Sequence, residues 1–275
     1  MANTPVRRKR GIIFELGKDV PTPSKKTKID MSKLAVGRID PVPMPPVLRS
    51  KFKVNPGSWV ATDIGTHRFV HSCDWHDGEF GHQRKVGADC LQSTRVVQVG
   101  VAFGSGLLAE PQVKSMIVMP DGFVIDPEAE EKHGIKHNYA CEHGLPIGEV
   151  LVQVFSIVKA ICGNEGRVCS HHLEFDAGIL AAEMKRLELN DMAEEWACFV
   201  RNGLCTMDQD IGQWIRKHIG MNHMHRNVPL GLAEAMEIIL PDHADELLRH
   251  HHDAGIDAHM HWLLARELNV RAHTG

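Results

Sequence analysis

Between Val168 and Leu180 the chain passes from an apolar run into a helical pattern, and Asp176 stands at the crossing. Ala177, Ile179, Leu180 and Met184 follow at helical spacing. A carboxylate where a strand hands over to a helix sits at the carboxyl end of a sheet, where open α/β folds place their ligands. This junction restricts the chain to an α/β architecture with its chemistry at one sheet edge.

Strand and helix signals alternate on either side. Trp59–Asp63 reads as a first core strand ending on an acid, and Arg95–Phe103 as a second whose apolar run is broken by Gln98 and Gly100. Residues 113–118 form a third strand paired to the second. Residues 148–161 carry apolar positions at 150, 151, 154, 155, 158 and 161, an amphipathic helix. Helices are expected over 177–189, 191–201, 208–219 and 230–240, with Pro241 ending the last. One or two more span 246–268, with Gly255 the weak point. Three strands before the first long helix predict a mixed central sheet of about five strands flanked by helices.

The net charge of -4 conceals an asymmetry. Residues 1–53 hold 13 Lys and Arg against 4 Asp and Glu, leaving 18 against 31 for the rest. Residues 1–58 thus read as a basic, Pro-rich arm, and 59–275 as a single domain with a polar insertion at about 67–94. The clusters Arg7–Arg10 and Lys25–Lys28 suit either nuclear import or a solvated tail. Seven Cys without a C-x-x-C pair indicate a reducing, intracellular compartment, nuclear or cytoplasmic. No apolar run nears ~20 residues, and the polar start has no secretory h-region. Cys73, His76, His82 and Cys90 are zinc-type ligands, but their spacing matches no common finger, so an ordinary loop and a zinc-organised module both stay open.

Four segments in fixed order carry a resemblance. Asp63 closes the first strand. Pro120, Ile125, Ala129, His133-Gly-Ile135 and Gly144-Leu-Pro146 form a patterned linker. His171-His-Leu-Glu-Phe-Asp176 follows, and His252-Asp-Ala-Gly-Ile-Asp257 comes last. Together they resemble the DEDDh 3′→5′ exonucleases, the proofreading and ribonuclease T type, with a ribonuclease H-like fold. The resemblance covers about residues 59–270.

It implies that Asp63, Asp176 and Asp257 hold two Mg²⁺ or Mn²⁺ ions, with His252 as general base. It implies that Ile64, Gly65, Thr66, His171, His172 and Phe175 contact the nucleic acid. The substrate would be DNA or RNA 3′ ends, preferably single-stranded, with a homodimer as one possible assembly. One position departs from the family: its first motif is Asp-x-Glu, and here Gly65 stands where the Glu belongs. Three explanations follow: an acid of the insertion (Asp74, Asp77 or Glu79) substitutes, Gly65 is a variant at an active enzyme's Glu position, or the protein is an inactive relative that binds nucleic acid or a protein partner. Among the histidines, His133 and His171 read as turn-ordering or carbonyl-bonding. The His-rich C-terminus, including His251 and His261, reads as a solvated face, with adventitious metal binding the alternative.

Overall fold

The structure, a computed structural model, describes residues 43–52, 59–68, 75–77, 84–86, 88–104, 110–163, 166–217 and 229–274. Helix α1 (Pro46–Arg49) precedes strand β1 (Trp59–Thr66). The insertion contributes β2 (Trp75–Asp77), β3 (Arg84–Val86) and α2 (Ala88–Ser93). Next come β4 (Val96–Gly104), β5 (Gln112–Ile117), α3 (Pro127–His133), α4 (His137–His143) and α5 (Ile147–Cys162). The second half holds β6 (Arg167–Ser170), α6 (Leu173–Arg186), α7 (Asn190–Arg201), β7 (Leu204–Cys205) and α8 (Gln209–Lys217). Helices α9 (Leu232–Ile239), α10 (Pro241–Leu247) and α11 (Ala254–Thr274) complete the chain.

Five strands form one mixed sheet in the order β5-β4-β1-β6-β7. The β1–β4 and β4–β5 pairs are antiparallel, and β1–β6 and β6–β7 are parallel. Alternation along β1 sends Val60 and Ile64 into the core under α5, α6 and α7. Trp59 and Ala61 face the core built on α11. Strand β4 alternates Val97, Val99 and Val101 with Gln98, Gly100 and Ala102, and on the second face the bare Gly100 admits α11. Helix α11 is bonded to β1 as well as packed on it: Trp262 Nε1 donates to the Trp59 carbonyl at 3.1 Å. Each large side chain buried here, such as Trp262 or Leu263, stabilises the fold by roughly 1.5–3 kcal/mol.

Some boundaries differ from those read in the sequence. Strand β1 continues past Asp63 to Thr66, with an irregularity between Gly65 and Thr66. Met44, Leu48 and Phe52, grouped with the arm by composition, are buried in the α11-side core. Pro41–Pro46 lies only partly within the described residues, and both basic clusters lie outside them. Pro241 does not simply end a helix. It opens α10, where a first-turn proline lacks only an N–H that no helix uses. The break before α11 falls at His251–Asp253, and Gly255 sits in that helix's first turn. Of the four zinc-type residues, Cys73 and His82 lie outside the described residues, and Cys90 is buried with its sulfur facing Arg68 and Thr94. Among the described residues, no helix is long and apolar enough to cross a membrane.

Candidate active site

A cavity of about 400 Å³ opens at the end of β1, and all ten residues singled out by the resemblance line it: Asp63, Ile64, Gly65, Thr66, His171, His172, Phe175, Asp176, His252 and Asp257. Three separate elements bring the aspartates there. Asp63 lies on β1 opposite Gly100 of β4. Asp176 occupies the first turn of α6, just past the end of β6, and is 4% exposed. Asp257 sits in the first turn of α11 and is 6% exposed. Neither of the two is a solvated helix residue, and the cap position of α6 belongs to His172.

Two of the three carboxylates are held by neighbours that donate to them. Ser170 Oγ donates to Asp176 Oδ2. The backbone N–H of His252 lies 3.2 Å from both oxygens of Asp257, and His251 Nδ1 lies 2.9 Å from Oδ1. His252 adopts φ of 83°, a left-handed conformation uncommon for a residue with a Cβ. That turn aims its N–H at Asp257. Candidate ligand atoms of His251, His252 and Asp257 all lie within 4.8 Å of one another.

Burial and mutual repulsion govern the charges. Burial first, then the charges of Asp176, Asp257 and Asp253, push the Asp63 carboxyl well above the usual range. Burial raises Asp176 to about 7, against the Ser170 hydroxyl, and Asp257 adds to the rise. Such a group of acids, dehydrated and facing one another, favours a cation or a proton in its midst. The histidines respond oppositely: burial lowers His171 and His172 to about 4 and His261 to about 3, leaving all three neutral at pH 7.

The turn preceding α11 is anchored by a residue that looked like a mere break in a strand. Gln98, 2% exposed, donates to Asp253 Oδ2 at 2.7 Å and accepts from the Ala254 N–H at 3.0 Å. Asp253 in turn caps α11 by accepting from the N–H groups of Gly255 and Ile256. His133 Nδ1 accepts from the Ile135 N–H, and His171 Nε2 donates to the Leu230 carbonyl at 2.7 Å. The first orders a turn and the second bonds a distant carbonyl, and both side chains also border the cavity. His172 and Phe175 stack at 5.5 Å with planes 6° apart. His251 and His261 are corrections to the solvated-face expectation: His251 bonds Asp257, and His261, 2% exposed, reaches Asp63. The four-residue step from Asp257 to His261 was the available signal.

Solved structures with a related fold include exonucleases. E. coli exonuclease I in complex with a dA16 oligonucleotide superposes with a TM-score of 0.51 at 16% identity, over 78% of this chain and 41% of that one. The zinc-bound form of the E. coli exonuclease I–ssDNA complex gives 0.53 at 14% identity, over 78% and 40%. The fold is ribonuclease H-like. An apo exonuclease I agrees, at 0.53 and 13% identity over 77% of this chain and 42% of that one. The chain therefore spans about two fifths of the length of these exonuclease I chains. No protein-family model and no curated protein matches the sequence. Within the ribonuclease H-like fold, the cavity lies at the carboxyl ends of the parallel strands β1 and β6, where such sheets bind ligands.

Proposed function

We propose that this chain is a divalent-metal-dependent exonuclease that removes nucleoside monophosphates from 3′ ends of single-stranded DNA or RNA. One observation carries the reading: Asp63, Asp176 and Asp257 line a single cavity, and the charges of the other two disfavour ionisation of Asp63. Carboxylate oxygens that oppose one another's charge are the donor set that hard Mg²⁺ or Mn²⁺ requires. These three residues would hold the metal, which when bound supplies charge neutralisation at the phosphate and an acidified water.

The remaining work falls to the chain's own groups. His252 would accept the proton of the attacking water through its imidazole, while its backbone N–H keeps Asp257 oriented. The paired rings of His172 and Phe175 offer a flat surface on which an unpaired base can stack. Arg68 and Lys132, on the cavity wall, supply positive charge toward the phosphate backbone. Ile64, Gly65 and Thr66 continue β1 beside Asp63 and would meet the terminal nucleotide.

A second reading has a specific ground. Gly65 offers no donor where the resembling family has Glu, so a weakened protein that grips nucleic acid without cutting it is consistent with the same cavity. End-labelled oligonucleotides incubated with Mg²⁺ and with Mn²⁺ separate the two. A ladder of shortened products that vanishes in Asp176→Ala supports the exonuclease. No product in either metal, with a retained gel shift, supports the binder.

A further inference from the structure

We propose that His261 is a nitrogen ligand of the site's divalent cation, standing beside Asp63 and supplying the donor that Gly65 lacks. The inference rests on the metal-dependent reading above and concerns which atoms complete it. His261 follows Asp257 by four residues on α11, so both side chains project from one face of the helix, a turn apart. It is 2% exposed and borders the cavity.

The hydrogen bonding selects its tautomer. His261 Nδ1 lies 3.1 Å from the Thr62 carbonyl oxygen. A carbonyl only accepts, so Nδ1 carries the hydrogen, and the neutral ring keeps a lone pair on Nε2. That Nε2 lies 3.8 Å from Asp63 Oδ1. The separation is too long for a hydrogen bond, and it leaves the Nε2 lone pair and a carboxyl oxygen side by side as two donors that one cation could share. Metal bonds of about 2.1 Å from each atom can span it. Metal-bound histidines usually donate their other ring N–H to a carbonyl or carboxylate, as His261 does to Thr62. The stacked neighbour His171 differs: its Nε2 is occupied by the Leu230 carbonyl and its Nδ1 faces the Thr206 hydroxyl at 3.0 Å.

An imidazole in the donor set shifts preference from Mg²⁺ toward Mn²⁺, Co²⁺ or Zn²⁺. The test is Mn²⁺ titration of the purified full chain, read by pulsed electron paramagnetic resonance for hyperfine coupling to a directly bound ¹⁴N. Coupling is expected in the native chain and in a His251→Asn/His252→Asn double variant. In His261→Asn it should disappear, with Mn²⁺ affinity falling about tenfold or more and the circular dichroism unchanged. Should His261→Asn fail to fold, coupling in the double variant decides alone. Mn²⁺ that binds in an Asp176-dependent way without nitrogen coupling overturns the assignment of His261 and leaves the metal-dependent reading intact. No Mn²⁺ binding, or equal binding by Asp176→Asn, overturns both.

Discussion

Gly100 lies directly beneath Ala254: a Cβ on Gly100 would stand 1.8 Å from the Ala254 carbonyl oxygen. Gly100 is also the partner of Asp63 across the β1–β4 ladder. The bare backbone at this position therefore sets how closely the start of α11, and with it Asp257, approaches Asp63. Gly100→Ala must push α11 away, because the obstructing atoms are backbone. Overpacking of this kind costs about 1–3 kcal/mol or more. Urea denaturation should show at least that loss, together with weakened Mn²⁺ binding. Native stability and affinity would mean that α11 is not positioned by this contact.

Position 65 behaves differently. A Cβ there would meet Gln98 Cβ at 3.4 Å and His133 Cδ2 at 3.7 Å, which is ordinary contact. Gly65→Glu is expected to fold, to lose some stability without metal by adding a fourth acid, and to recover it with Mn²⁺. Exonuclease rate on a labelled oligonucleotide should rise about tenfold or more, the scale on which metal-site groups act. An unchanged or lower rate would count against residue 65 as a metal-ligand position.

His252 carries backbone strain at the position proposed for the general base. Its φ of 83° suits glycine, and holding a residue with a Cβ there costs of order 1–3 kcal/mol. His252→Gly keeps the N–H that orients Asp257 and removes the imidazole. Melting temperature should rise while the hydrolysis rate falls by about 10²–10⁴, the usual contribution of a general base. A variant that is stabilised and still fully active would remove His252 from the chemistry.

The raised carboxyls fix how stability responds to pH. Asp63 is held well above the usual range and Asp176 at about 7 in the folded chain, against about 3.9 when unfolded. The folded state thus binds the extra protons. Their contribution is fully present below the unfolded value, and is lost as pH rises through about 7. Without metal, thermal stability should fall between about pH 4 and 7 relative to Asp176→Asn. Added Mn²⁺ should restore more of it at pH 8 than at pH 5. Equal slopes for the two proteins would show that Asp176 is not dehydrated as described.

The architecture was legible because its signals are local. A broken apolar run marked β4, helical spacing marked α5 and α6, and the three acids at motif positions line one cavity. What was missed depends on contacts distant in sequence. Gln98 and Gly100 look like defects in a strand until α11 is laid across them, 156 residues from Gln98 to Ala254. His261 looks like one of many surface histidines until the carbonyl of Thr62, 199 residues away, fixes its ring. Met44, Leu48 and Phe52 sit in a Pro-rich, basic context whose composition masks their burial.

Asp63, Asp176 and Asp257 are proposed to share a metal. Crystals soaked in Mn²⁺ and measured at a wavelength where manganese scatters anomalously test it most directly. An anomalous peak is expected inside the cavity with carboxylate oxygens of these residues around it, and its loss in Asp176→Asn crystals. Manganese found only on surface histidines, with the cavity filled by water, would contradict it.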